Sequence, residues 1–174
     1  MTNEPEGPGA HTAAAAAWAA AWLVKLQGPV NLGKLLGSGH TSVGTGDDAV
    51  LIEEHTHHRP HYRHKYATPW LSFTGDWSLT NMPLVAGVVE AWGKHYGASD
   101  ADPDEVAGIV SLVLAGGAAE VGAMTVEEDD DDEAYFLEGA GHVDVVNAML
   151  LSAVFRLWSA RRMDQRMKPT TETP

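Results

Sequence analysis

PDEVAGIVSLVLAGGAAEVGAM, from Pro103 to Met124, is the segment on which the fold class turns. Asp102 precedes it as an N-cap, able to accept the orphan N–H groups of a first turn. Pro103 takes a first helical position, where its missing N–H costs nothing. Asp104 and Glu105 set negative charge at the positive end of the helix dipole. The run from Val106 to Ala119 is apolar and is closed by Glu120. The segment is read as one helix reaching about Met124. Gly108, Gly116 and Gly117 weaken it by about 1 kcal/mol each relative to Ala. In an apolar helix such glycines let a neighbour pack closely.

Further helices are expected on both sides. Val143 to Met167 opens with residues that are apolar nearly all round, the pattern of a buried helix. It ends in Arg156, Arg161, Arg162, Arg166 and Lys168, which suit a negative helix terminus. Asn81 to Tyr96 carries Leu84, Val88, Ala91 and Trp92 on one face, with Gly97 after it. Thr12 to Gln27 combines five consecutive alanines with Trp18, Trp22 and Leu26 at four-residue spacing, and Gly28-Pro29 reads as its stop. Val30 to Leu36 adds a short helical turn. Gly37 to Asp48 reads as a loop; it lacks the Gly-Lys-Ser/Thr ending of a phosphate-binding loop. Ala49 to Ile52 stays of open type. Trp70 to Leu79 reads either as a short strand or as an irregular packed loop. No internal repeat and no heptad pattern is evident.

The expected architecture is therefore all-α or mostly α, a compact bundle of roughly four to five helices with a His-rich loop and an acidic loop. Residues 11–168 form its single helical domain, between a flexible tail at 1–10 and a disordered one at 169–174.

The charge balance limits function. Against 11 Lys and Arg stand 24 Asp and Glu, a net charge of −13. Such a chain repels the nucleic-acid backbone over most of its surface, so nucleic acid is not an expected partner. The absence of cysteine excludes disulfides, thiolate metal sites and cysteine nucleophiles. Met1 to Gly9 lacks the positive start of a secretory signal, and no apolar run reaches the ~18 residues of a membrane span. A cytoplasmic protein, or one held in an assembly, is expected.

One stretch departs from this acidic background: His55, Thr56, His57, His58, Arg59, Pro60, His61, Tyr62, Arg63, His64, Lys65 and Tyr66. If Pro60 opens a helix, His61 and His64 share one side with His57 and His58 at its mouth. Imidazoles in this number suit a divalent transition metal such as zinc or nickel, with Glu53, Glu54 or Asp76 as carboxylate candidates. No His-Glu-x-x-His pattern supports a defined site. Arg59, Arg63 and Lys65 also make the stretch a basic surface, to which histidine adds charge as pH falls toward ~6.5. Its counterpart is the acidic run Glu127, Glu128, Asp129, Asp130, Asp131, Asp132 and Glu133, able to meet the His-rich stretch or the Arg-rich end of the last helix. His40, with Ser38, Thr41 or Ser42 and Asp47 or Asp48, holds the residue types of a hydroxyl nucleophile and its base, without the Gly-x-Ser-x-Gly elbow. His95 and His142 are read as helix-end residues.

These readings favour a non-catalytic interaction or assembly protein, a homo-oligomer or part of a larger complex, with a metal- or pH-sensitive basic surface. A metal-dependent hydrolase built on the His cluster and a membrane-associated helical protein are the alternatives.

Overall fold

The computed structural model describes residues 28–44, 49–56, 69–75, 77–79, 81–128 and 136–167. The expected helix at Thr12 to Gln27, His57 to Lys65, Asp129 to Glu133 and both tails lie outside the described residues. Along the described chain the order is α1 (28–38), β1 (His40–Val43), β2 (Val50–His55), β3 (Trp70–Thr74), β4 (Trp77–Ser78), α2 (Met82–His95), α3 (Pro103–Leu114), β5 (Ala119–Val121), β6 (Met124–Glu128), β7 (Phe136–Ala140), β8 (Val143–Asp144) and α4 (Val145–Met167). The strands form two antiparallel sheets, β1-β2-β3-β8 and β4-β7-β6-β5. The protein is an α/β mixture, and the expectation of an all-α bundle is wrong.

The error sits in Pro103 to Met124. The start is as expected: Asp102 Oδ1 accepts from the Asp104 N–H at 3.1 Å. The helix stops at Leu114, where Gly116 turns left-handed at φ +90°. There the Gly116 N–H donates to Val113 O at 3.0 Å and the Gly117 N–H to Leu112 O at 2.9 Å. A glycine takes that conformation freely and closes the last turn. Beyond it the residues alternate: Ala119, Val121, Met124 and Val126 are buried, while Glu120 and Glu127 are exposed. That period of two is the signature of a half-buried hairpin. Val121 pairs with Met124, and Gly122, at φ +60°, opens the two-residue turn between them.

Other expectations fare unequally. α2 and α4 lie where expected, except that Val143 and Asp144 are strand. Gly28 and Pro29 are helical rather than a stop. The loop expected at Gly37 to Asp48 contains β1. Trp70 to Leu79 is strand on both sides of Gly75, whose φ of +125° bends the chain from one sheet into the other.

This bend exposes the plan of the molecule. β3 pairs with β8 through Trp70↔Asp144 and Leu71↔Val143, and β4 pairs with β7 through Trp77↔Leu137 and Ser78↔Phe136. Carrying the first register forward reproduces the second with no residue inserted on either side. Residues 70–78 and 136–144 are thus one long antiparallel ribbon, opened in its middle, and the ribbon joins the two sheets.

The ribbon also relates two halves. α1-β1-β2-β3-β4-α2 and α3-β5-β6-β7-β8-α4 have the same order of elements, and each half lends its last strand to the other half's sheet. From β3 to α2 and from β7 to α4 the halves align without a gap. Leu71, Gly75, Asn81, Leu84, Val88 and Trp92 meet Leu137, Gly141, Asn147, Leu150, Val154 and Trp158. The local chemistry repeats too. The Asn81 N–H donates to Ser78 Oγ at 3.2 Å, and the equivalent Asn147 N–H to Asp144 Oδ1 at 3.1 Å. The chain is a tandem repeat about a pseudo-twofold running between Thr74 and Ala140.

α2 and α4 pack against each other across that axis. A Cβ on Gly93 near the end of α2 would lie 3.0 Å from Ala148 Cβ at the start of α4. Between the helices and the sheets lies one core including Ile52, Leu71, Val85, Trp92, Val110, Met124, Leu151, Phe155 and Trp158.

Candidate interaction surface

In the β1-β2-β3-β8 sheet, Thr41, Val43, Val50, Ile52, Leu71 and Val143 turn inward and are buried. His40, Glu53 and Ser72 lie in one register row of the opposite face, and His55, Trp70 and Asp144 in another. The latter row is the root of the His-rich connection, because residues 56–69 join β2 to β3. His55 stacks on Trp70 with ring centroids 4.0 Å apart and planes 16° from parallel. A His55 ring nitrogen, Nε2, is 2.8 Å from Ser72 Oγ. His142 meets the other part of Trp70 edge-on at 5.2 Å. Stacking and enclosure leave Trp70 only 3% exposed, although it stands on the outer face. His142 is buried, which holds its pKa below the usual imidazole value; His55 lowers it further and the Asp144 carboxylate opposes the shift. Sequence reading missed Trp70, Ser72, His142 and Asp144 as a group. Only the strand register brings them together with His55.

The acidic run begins at the equivalent place in the second half, since residues 129–135 join β6 to β7. Glu128 points inward, accepts from Trp158 Nε1 at 2.6 Å and from Arg162 Nε at 2.7 Å, and forms an ion pair with Arg162 Nη2. The run therefore meets the Arg-rich end of α4 through its second residue. Glu54 is the equivalent residue of the first half. It accepts from Trp92 Nε1 at 2.6 Å and from the Tyr96 hydroxyl at 3.0 Å. Burial and the Glu54 carboxylate raise the Tyr96 pKa, since both disfavour the phenolate. Glu54 is thus occupied as a half-buried acceptor, and Glu53 faces the other way.

Beside the opened middle of the ribbon lies a cleft of ≈350 Å³, lined by Phe73, Gly75, Trp77, Thr125, Glu127, Leu137, Gly139 and Ala140. Trp77 and Leu137, both buried, form its floor. The Trp77 ring lies over Gly139 so closely that a Cβ there would fall 2.1 Å from it. Its indole Nε1 is buried with no hydrogen-bond partner among the described residues. Glu127 is exposed at the rim and makes no ion pair among the described residues.

The metal-binding expectation needs correction. Among the described residues no three His, Asp or Glu side chains come together in a way that could hold a metal ion. His57, His58, His61 and His64 lie outside the described residues, as do Arg59, Arg63, Lys65 and Asp76. Of the hydroxyls named with His40, Ser38 Oγ donates to Lys34 O at 2.7 Å, Thr41 Oγ1 donates to Asn31 Oδ1 at 3.0 Å and Ser42 is exposed, while Asp47 and Asp48 lie outside the described residues. His95 ends α2, whereas His142 sits in the ribbon ahead of α4. Among the described residues no helix is long and apolar enough to cross a membrane.

The fold and these sites define an α/β tandem-repeat protein with oppositely charged connections at equivalent places. No protein-family model, curated protein or solved structure matches the chain.

Proposed function

We propose that the chain is a non-catalytic interaction protein that self-associates head to tail, the basic His55 to Tyr66 stretch of one copy meeting the acidic Glu127 to Glu133 run of the next. The observation that carries this reading is the repeat. The β2–β3 and β6–β7 connections are structural equivalents with opposite charge, rooted at Trp70 and at Phe136 on opposite ends of the ribbon. At about 3.3 Å per residue, that ribbon spans on the order of 25 Å when straight. Two complementary segments rooted at opposite ends of the ribbon favour a heterologous contact between subunits. A net charge of −13 repels copies over most of their surface, so a single attractive contact also sets orientation.

Sedimentation velocity over a concentration series tests the reading. The wild-type chain associates, and more strongly at pH 6 than at pH 8, because His55, His57, His58, His61 and His64 gain charge over that range while carboxylates stay ionised. Replacing Arg59, Arg63 and Lys65 by Glu abolishes association. A wild-type chain that stays monomeric at every concentration and pH removes the proposal.

A further inference from the structure

The cleft beside the ribbon is lined mainly by β4, β6 and β7. Three of its lining positions are smaller than their equivalents in the first half, Gly139 against Phe73, Thr125 against Leu51 and Ala140 against Thr74, and two are larger, Phe73 against Gly139 and Trp77 against Val143. The carboxylate is kept, Glu127 matching Glu53. The space has an apolar floor and a carboxylate at its rim. At ≈350 Å³ the cleft is at the small end of ligand pockets, sized for side chains rather than for a large cofactor.

From this we infer that the cleft is the receptor for the His-rich stretch of a second copy, and that it takes the adjacent aromatic and basic side chains of that stretch, Tyr62 with Arg63 or Tyr66 with Lys65. The inference rests on the self-association proposed above and names its acceptor. A tyrosine ring covers the apolar floor formed by Trp77 and Leu137. The neighbouring cation reaches Glu127, with Glu128 already committed to Arg162 and Trp158. Tyrosine and arginine are among the residues most enriched as anchors in such contacts. The acidic residues that follow Glu128 in sequence add attraction for the same basic stretch.

The test uses the full chain and a labelled peptide of residues 55–66, with fluorescence anisotropy for the peptide and sedimentation velocity for the chain. Thr125→Leu restores the bulk found at Leu51 and closes the cleft. Glu127→Gln keeps the shape and removes the charge. Near-UV circular dichroism confirms that both variants fold, and Glu127→Gln serves if Thr125→Leu does not. Each is expected to weaken peptide binding by about tenfold, the loss of one charge-assisted contact or of its pocket, and to lower self-association in parallel. A wild-type chain that neither associates nor binds peptide overturns the self-association reading itself. Association that is abolished by the Arg59, Arg63 and Lys65 reversals but indifferent to Thr125→Leu and Glu127→Gln overturns the cleft alone. Arginine amide binding as tightly as the peptide assigns the cleft to a small cation instead.

Discussion

Glu54 and Glu128 accept an indole N–H at the same 2.6 Å, yet their second partners differ in kind. Tyr96 is neutral, so Glu54→Gln keeps an acceptor for both donors and costs about 1 kcal/mol. Arg162 is charged, and its side chain is 20% exposed against 17% for Glu128. Glu128→Gln leaves that guanidinium half-buried without its counter-charge, at a cost of about 2–3 kcal/mol. Urea midpoints of the two variants are expected to differ in this order; equal losses would mean that the Arg162 charge is irrelevant. A second residue-scale expectation concerns His142. Burial lowers its folded pKa below the unfolded value. The unfolded chain then binds the extra proton first, so this contribution is complete above ~6.5 and is lost as pH falls toward the lower folded pKa. The urea midpoint of the wild-type chain should fall over that window, and His142→Asn should flatten the slope. An unchanged slope would place the titrating group elsewhere.

Helices announced themselves and strands did not, for a reason visible in single elements. Asp102-Pro103 and Asn81 mark starts with specific chemistry, and the last helix shows an unbroken apolar run. In Pro103 to Met124 the apolar character continues past Gly116 and Gly117, so content alone cannot separate a helix from the hairpin that follows. The alternation that does separate them, Glu120 and Glu127 against Val121 and Val126, is short and is cut by Gly122. In sequence β3 and β4 read as either strand or loop because Gly75 interrupts their period, and β1 reads as loop because Gly and Ser flank it. The hairpin turn is testable as an element. A side chain at Gly122 would meet a φ of +60° and an Asn147 amide 2.4 Å from its Cβ. Gly122→Ala should therefore lose about 1–3 kcal/mol, and the exchange protection of β5 and β6 amides should drop most. Uniform protection loss would show that the hairpin is not an independent weak point.

At the scale of the whole molecule, the repeat was invisible because its halves share little beyond positions such as Gly75 and Gly141 or Trp92 and Trp158, too sparse to register without the strand pairing. The two charged connections were legible from composition. That they are equivalents was not, since equivalence is a property of topology. The same topology has a consequence for how the chain can be assembled. Glu90 and Arg156 occupy matching positions on α2 and α4 and form an ion pair across the axis. Were the chain cut in the segment between Gly97 and Asp102, each fragment would lack its lent strand and could pair with itself or with the other. Two first fragments would oppose Glu90 to Glu90, and two second fragments Arg156 to Arg156. Only the mixed pair brings unlike charges together, a bias of about 0–1 kcal/mol from this partly exposed contact alone, added to the different core residues of the two halves. The separately produced fragments should therefore combine one to one in native mass spectrometry in preference to either homodimer. In this sense the protein is a heterodimer written on a single polypeptide, with its partner choice encoded at the axis.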